Sequence, residues 1–136
     1  KQIVMERPIQ YQDNIASTHE AGRFGATEIG DEAQEVVLVV ILDTKNKINA
    51  IHRVFTGSLN TSVAHPREIF RSALLNNGAR ILVYHNHPSG NTEPSEADLI
   101  FTKRMEEAGS ILGIDLLDHI IVSGKEWLSL REYGIL

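Results

Sequence analysis

No stretch of this chain limits its possible folds as strongly as the seven-residue apolar run VVLVVIL at Val36–Leu42. Most of these residues are β-branched, which favours an extended strand because such side chains pack well on a pleated surface. The run has the length of a strand and falls far short of the roughly 20 apolar residues that a transmembrane helix needs. A polar turn at residues 44–47 and a second apolar stretch follow. The sequence therefore predicts a β-hairpin, and it leaves open whether the first strand is central in a sheet or lies at an interface.

After this hairpin, helical and extended patterns alternate. Pro66 suits the first turn of one helix, and Ser95 suits the N-cap of a second, longer one. Apolar residues recur at helical spacing in both, at Ile69, Phe70, Ala73 and Leu74 and then at Ala97, Phe101, Met105, Ala108 and Leu112. The predicted elements are a helix within residues 65–79 that Asn77 and Gly78 stop, a helix over residues 94–113, strands over residues 80–85 and 114–123, and a last helical turn within residues 129–136. Interleaved strands and helices predict an α/β fold in one layered domain.

The first part of the chain carries weaker signals. Ser17 and Glu20 have the spacing of a capping box, but the glycines among the following residues lower the helix propensity. We expect residues 1–34 to form an N-terminal segment packed on a domain that comprises residues 35–136.

Composition narrows the range of functions. The chain has 136 residues, enough for one domain with a hydrophobic core, and its formal net charge of −5 argues against broad binding to a phosphate backbone. Because it has no cysteine, it can form neither disulfides nor thiolate metal sites. The first residues lack the apolar region of a signal peptide, and no apolar run reaches the length of a membrane span. We therefore expect a cytoplasmic protein that does not enter a membrane, while the sequence leaves its oligomeric state open.

The stretch HNHPSGNTEPSEAD, which begins at His85 and ends at Asp98, concentrates polar groups at the end of a predicted strand. Residues i and i+2 of a strand share a face, so His85 and His87 are expected to emerge side by side, with Asn86 pointing the other way. The residues after His87 favour a turn. A helix then begins at Ser95 and brings Asp98 back toward the histidines.

Two imidazoles and one carboxylate supply three of the four ligands of a tetrahedral zinc ion. No cysteine or further histidine lies nearby as a fourth ligand, and such an open position is typical of catalytic rather than structural zinc. It would hold a water molecule whose pKa zinc lowers to about 7. This chemistry also needs a carboxylate base and a donor to the developing oxyanion, and Ser95 is placed to be that donor. The base is not expected within the stretch, because Glu93 lies in the turn and Glu96 should point away from Asp98.

Each part of the stretch also has an ordinary structural explanation. A His-x-His sequence at a strand end commonly packs in the core or lies at the surface, and Ser95 with Asp98 has the spacing of a helix capping box. Capping and metal binding are compatible, because a helix N-terminus favours an anion. Farther along the chain, His119 beside Asp118 is expected to be a buried core histidine, or else one of the two orients a metal ligand.

Other zinc chemistries lack their motifs in this sequence. There is no His-Glu-x-x-His for a zincin protease, and the cysteine pair of the nucleobase deaminases is absent. A two-metal nuclease would need a richer carboxylate cluster than this stretch offers.

The pattern His85-x-His87, seven intervening residues, Ser95-x-x-Asp98 resembles the JAMM signature of the JAB/MPN metalloprotease superfamily. The blocks HPREIF, HNHPSG, PSEAD and LLDHIIVSG, in this order and spacing, are similar to those of the RadC branch of that superfamily. The resemblance extends from Glu35 to the C-terminus. It implies a single JAB/MPN-type α/β domain, similar to that of cytidine deaminases, with a curved mixed sheet flanked by helices.

The resemblance also implies the site, whose zinc ligands would be His85, His87 and Asp98. Ser95 would polarise the oxyanion. The family's catalytic base is a glutamate that precedes its first hydrophobic strand, and Glu35 is the matching residue. From the sequence alone, Glu35 is one acidic residue among several, with Asp31 and Glu32 close by.

RadC proteins commonly carry an N-terminal helix-hairpin-helix region that is expected to contact DNA. This chain shows no counterpart to it and starts at Lys1, so we expect a short form or an excised domain.

Three functions remain as hypotheses. The first is a zinc-dependent hydrolase of amide bonds, a metallopeptidase or isopeptidase that acts on a peptide or isopeptide substrate. The second is a role in DNA repair or recombination on or near nucleic acid, for example as a zinc-dependent nuclease. The third is an interaction module in which zinc only stabilises the fold. Such a structural zinc site would need neither Ser95 nor Glu35.

Overall fold

The computed structural model describes residues 14–56 and 66–136, in which three helices and five strands alternate. The elements are α1 Thr18–Ile29, β1 Val36–Leu42, β2 Ile48–Thr56, α2 Pro66–Leu75, β3 Arg80–Asn86, α3 Glu96–Leu112, β4 Asp115–Ser123 and β5 Glu126–Ser129. None of the helices in these two ranges is long and apolar enough to span a membrane. The predictions for residues 1–13 and for residue 65 lie outside the described residues.

A five-stranded mixed sheet with the order β2-β1-β3-β4-β5 forms the middle layer. Strand β1 pairs antiparallel with both β2 and β3, β3 pairs parallel with β4, and β4 pairs antiparallel with β5. Helix α1 packs on one face of the sheet, while α2 and α3 pack on the other. This arrangement confirms the predicted α/β domain with a mixed sheet flanked by helices.

Strand β1 is central in the sheet and buried along its whole length. Val36, Leu38 and Val40 pack into the core on the α1 side. Val37 and Val39 pack into the core beneath α2 and α3. Because neither face of this strand meets solvent, its sequence is apolar throughout instead of alternating. The structure thus answers the question that the sequence left open, and it confirms the hairpin with β2.

Helix α1 forms despite its glycines, with Ser17 as the N-cap that the capping-box spacing predicts. Gly22 lies against the indole of Trp127, and Gly25 lies against the ring of Tyr84. A Cβ at Gly22 would come within 2.3 Å of the Trp127 ring, and a Cβ at Gly25 would come within 2.2 Å of the Tyr84 ring. The glycines that lower the helix propensity therefore let two aromatic side chains approach the helix backbone and tie α1 to the sheet.

Some predicted details of the later elements are confirmed and others are wrong. Helix α2 ends at Leu75, and Asn77 follows with a φ of 53°, in agreement with the predicted stop. Leu74 is 58% exposed, because Ser72 and not Leu74 joins the predicted Ile69, Phe70 and Ala73 on the buried side. In α3 the predicted stripe residues Phe101 and Met105 are buried, but Leu112 is 46% exposed. Asp98, Thr102 and Gly109 complete the buried side of that helix. The chain after the turn at residues 124–125 forms β5, which the sequence did not predict. Residues 130–134 then form hydrogen-bonded turns, and the Tyr133 N–H donates to the Ser129 carbonyl at 2.9 Å as in the single helical turn predicted there.

Candidate metal centre

Strand β3 ends at the predicted site. His85 pairs with Val37 of β1 and with Ile121 of β4, so its backbone is held on both sides. His87 follows the strand, and its N–H donates to the carbonyl oxygen of Val122 at 2.9 Å. The two imidazoles lie side by side, with ring centroids 5.3 Å apart and ring planes at 88°. The end of the sheet therefore presents both histidines in a fixed arrangement, as strand alternation predicts.

The loop after β3 brings the chain back to the start of α3. Gly90 turns it with a φ of 98°, in the left-handed region that favours glycine. The carbonyl oxygen of Asn91 accepts a hydrogen bond from Nδ1 of His87 at 2.8 Å. At the helix start, the Ser95 N–H donates to Oδ2 of Asp98 at 2.8 Å, and the Ser95 Oγ accepts from the Asp98 N–H at 3.1 Å. This capping box fixes the aspartate carboxylate at the histidines.

Asp98 is the buried centre of the cluster, with no exposed surface. Its Oδ1 lies 3.2 Å from Nδ1 of His85, and its Oδ2 lies 3.1 Å from Nε2 of His87. Burial raises the pKa of Asp98, but hydrogen bonds from the two histidines and from the Ser95 N–H outweigh burial and hold that pKa well below its usual range. The pKa of His87 is raised, chiefly by its hydrogen bond to Asp98. A carboxylate that stays ionised in the interior requires a positive partner.

Each of the four ring nitrogens of His85 and His87 faces an oxygen that can accept a hydrogen bond, but two neutral imidazoles carry only two N–H protons. The carbonyl of Asn91 only accepts, so His87 carries its proton on Nδ1, and a neutral ring then presents the lone pair of Nε2 to Asp98. Both ring nitrogens of His85 face carboxylate oxygens, those of Asp98 and Glu35. A cation would resolve both conflicts, and one potential ligand atom from each of His85, His87 and Asp98 lies within 4.8 Å of the others. This donor set fits a metal ion such as zinc.

Glu35 lies at the open side of the cluster. Its Oε1 is 2.9 Å from Nε2 of His85, and its side chain is 36% exposed, against 3% for His85. Two other acidic residues close in sequence point elsewhere. Glu32 pairs with Arg53 at 3.3 Å, and Asp31 lines a groove beside α1. Among these three acidic residues before β1, the structure therefore brings only Glu35 to the histidines.

Behind Asp98, a buried polar contact supports α3. The Oγ1 of Thr102 donates to the Asp98 carbonyl at 2.7 Å and lies 2.6 Å from Nδ1 of His119. Burial lowers the pKa of His119 to about 3, so the ring is neutral. The carboxylate of Asp118 accepts from the Ser129 hydroxyl and from backbone N–H groups instead. His119 is thus the buried core histidine that was expected. It contacts the first turns of α3 through the Thr102 hydroxyl and through the ring of Phe101, whose centroid lies 5.5 Å from that of the imidazole.

Asn86 is a further site residue, and the sequence did not single it out. Its side chain points away from the histidines, as predicted, and contacts the segment that precedes β1. Its Oδ1 accepts from the Val36 N–H at 2.6 Å, and its Nδ2 donates to the Gln34 carbonyl at 3.0 Å. It therefore holds both chain neighbours of Glu35. No local pattern predicts this, because Val36 is 50 positions away in the sequence.

Known proteins resemble this chain over most of its length. A family model described as the RadC-like JAB domain matches residues 15–135. A UPF0758 protein of Clostridium beijerinckii is 50% identical over 109 residues, which are 80% of this chain and 48% of that protein. A UPF0758 protein of Enterococcus faecalis is 49% identical over 118 residues, 87% of this chain and 51% of that protein. A UPF0758 protein of Latilactobacillus sakei is 44% identical over 122 residues, which are 90% of this chain and 54% of that protein. The chain spans about half the length of these curated relatives.

Proposed function

Because the chain belongs to the RadC-like JAB domain family, we propose that it is a zinc-dependent hydrolase of amide bonds, a metallopeptidase or an isopeptidase. The observation that carries this proposal is the convergence of His85, His87 and Asp98 on one place. Two imidazoles and one carboxylate would hold zinc and would leave a coordination position open for chemistry, as in catalytic zinc sites. Glu35 and Ser95 lie next to these three residues, and a purely structural zinc site would need neither of them.

When bound, zinc would supply the positive charge that acidifies a water molecule and polarises a carbonyl group. Glu35 is the group that takes the proton of the attacking water at Oε1, the atom that faces His85. As the oxygen–carbon bond forms and the carbon–nitrogen bond breaks, Glu35 returns that proton to the leaving amine. Ser95 uses its Oγ to accept the Asp98 N–H, which leaves its hydroxyl proton for the developing oxyanion.

The surroundings of the ligands favour a preorganised site. The Asn91 carbonyl fixes the tautomer of His87 and so directs Nε2 inward. The Ser95 N–H orients the Asp98 carboxylate. Because these contacts come from a loop and a helix start that are fixed to the end of the sheet, the donor atoms would need little movement to take up a metal.

The zinc content of the purified chain tests the proposal. We expect about one zinc per chain after reconstitution and dialysis, sharply reduced in Asp98→Asn. Asp115→Asn is the matched control, because that carboxylate is exposed at the start of β4, and its zinc content should equal that of the wild type. A screen of peptide and isopeptide substrates follows with the zinc-loaded protein. Absence of zinc from the reconstituted wild type would contradict the proposed function.

A second candidate is a role on or near nucleic acid in DNA repair or recombination, including zinc-dependent cleavage of a phosphodiester. A groove of about 530 Å³ beside α1 favours it, because Arg23, Lys125 and Trp127 line this groove. Cationic and aromatic side chains together suit single-stranded nucleic acid, whose bases stack and whose phosphates are negative. Asp31 in the same groove and the net charge of −5 weigh against it. Binding of a single-stranded oligonucleotide that weakens with salt and with Arg23→Glu would support this role, and no binding at low salt would contradict it.

A further inference from the structure

The proposed role of Glu35 requires an accurately placed carboxylate, although the residue lies outside the regular sheet. It immediately precedes β1, in a segment that is neither helix nor strand. Its carboxylate contacts His85, but its side chain is 36% exposed and is not enclosed by the core. Proton transfer requires the base within hydrogen-bond distance of the reacting atoms. The placement of its backbone therefore decides whether the carboxylate stays at the histidines.

The side chain of Asn86 holds that backbone on both sides of Glu35. Its Oδ1 accepts from the Val36 N–H at 2.6 Å, and its Nδ2 donates to the carbonyl oxygens of Gln34 at 3.0 Å and Glu32 at 3.3 Å. These partners also fix the orientation of the amide, because a backbone N–H cannot accept and a carbonyl cannot donate.

These hydrogen bonds continue the pairing of β1 with β3 through a side chain. The paired residues of the two strands end at Val37 and His85. Asn86 is the next residue along β3, and its amide offers the same donor and acceptor groups as a peptide unit. Asn86 directly follows His85 in the chain. Strand β3 therefore carries both the metal-ligand candidate His85 and the side chain that holds the backbone around Glu35.

We infer that Asn86 is a positioning residue that sets the Glu35 carboxylate against His85, and this inference rests on the base role proposed for Glu35. Asn86 is 1% exposed, its hydrogen bond with the Val36 N–H is buried, and its bonds to the Gln34 and Glu32 carbonyls are partly buried. An aspartate at the same position would keep the shape and the acceptor but could not donate to Gln34 and Glu32 while ionised. The asparagine amide is therefore required for its chemistry and not only for its size.

Metal-free protein provides the first test, with the imidazole nitrogen resonances of the histidines measured by NMR. In Asn86→Asp, we expect the His85 Nε2 resonance to move toward its position in Glu35→Gln, because both changes remove the carboxylate contact. The His87 Nδ1 resonance should stay in place, since its partner is a loop carbonyl.

Asn49→Asp is the matched control. The Asn49 amide also donates to a backbone carbonyl, that of Asn76 at 3.1 Å, and it lies on β2 away from the histidines. We expect no shift at His85 in this variant. If Asn86→Asp fails to fold, Asn86→Ser replaces it, because the smaller side chain leaves room for water to satisfy the backbone groups. A wild-type His85 Nε2 resonance in a folded Asn86 variant would overturn the inference.

Kinetics with a cleaved substrate provide the second test. Asn86→Asp should lower kcat roughly 10- to 100-fold, with KM and zinc content unchanged, as expected for a displaced base. In the Glu35→Gln background the same substitution should cause no further loss, because Asn86 acts through Glu35. A further loss in that background would show another role. The NMR test needs neither zinc nor substrate, so a wild type without hydrolytic activity would refute the proposed function and leave this inference open to its own test.

Discussion

The Nε2 atom of His87 lies 3.1 Å from Oδ2 of Asp98, while Nδ1 of the same ring lies 2.8 Å from the carbonyl oxygen of Asn91. The ring is thus held between a carboxylate and a group that can only accept. Without a metal, a second proton on the imidazole stabilises this contact, which is why Asp98 raises the pKa of His87. A proton and a metal ion therefore compete for the same place.

We expect the metal-free protein to lose stability as the pH rises above about 6.5. The pKa of His87 is higher in the folded than in the unfolded chain, so its stabilisation is fully present below the unfolded value and is lost as the pH rises through the folded one. Asp98, with its lowered pKa, contributes throughout this range, and His119, with a pKa of about 3, is neutral there in the folded state. Urea unfolding of the wild type and of His87→Gln measures the slope, which should be flatter in the variant.

Zinc should reverse this dependence on pH. Imidazole must be deprotonated to bind a metal, so the stabilisation by zinc should grow over the same range in which the metal-free protein weakens. Urea unfolding with zinc and with a chelator, at several pH values from about 6 to about 8.5, measures both trends. A zinc effect that shrinks as the pH rises would argue against His87 as a ligand.

Glu35→Gln should abolish hydrolysis and leave zinc bound. The amide keeps the size of the side chain but cannot take a proton, so we expect a loss of kcat of at least about 10²-fold with an unchanged zinc content. Glu32→Gln is the control, because that carboxylate pairs with Arg53 and should not affect turnover. Full activity of Glu35→Gln would show that another group is the base.

Ser95→Ala separates capping from catalysis. Loss of the cap should lower the free energy of unfolding by about 1 kcal/mol, and loss of the hydroxyl donor should lower kcat by about 10²- to 10³-fold. Ser17→Ala is the matched control, because Ser17 caps α1 by accepting the Glu20 N–H at the same 3.1 Å distance. It should show the stability loss alone. Equal kinetic effects in the two variants would leave Ser95 with a structural role only.

Gly25→Ala should destabilise the fold although alanine is the better helix former. The added Cβ would come within 2.2 Å of the Tyr84 ring, which is buried and cannot move freely. We expect a net loss of about 1–3 kcal/mol, more than offsetting a helix-propensity gain of about 1 kcal/mol. Thr27→Ala, at an exposed position of the same helix, is the control and should change the stability little. Denaturant unfolding monitored by circular dichroism measures both, and a stabilised Gly25→Ala would contradict this packing.

The sequence predicted the parts of the site that depend on local geometry. Strand alternation places His85 beside His87, and the capping-box spacing places Asp98 at a helix start, so both follow from residues close together in the chain. Local geometry did not predict the role of Glu35. This residue was chosen from a family resemblance, because no local rule separates it from Asp31 and Glu32.

By itself, the sequence determined the alternation of strands and helices and the pairing of the two histidines with Asp98, because periodicity and turn chemistry act over a few residues. The tertiary structure decided that β1 is central, that Gly25 makes room for Tyr84, and that Asn86 holds the chain around Glu35. Each of these depends on segments that are distant in the sequence and meet only when the sheet forms. Burial of a strand on two faces, contact between a glycine and a distant ring, and long-range hydrogen bonds arise only when distant segments pack together. No short stretch of sequence therefore predicts them.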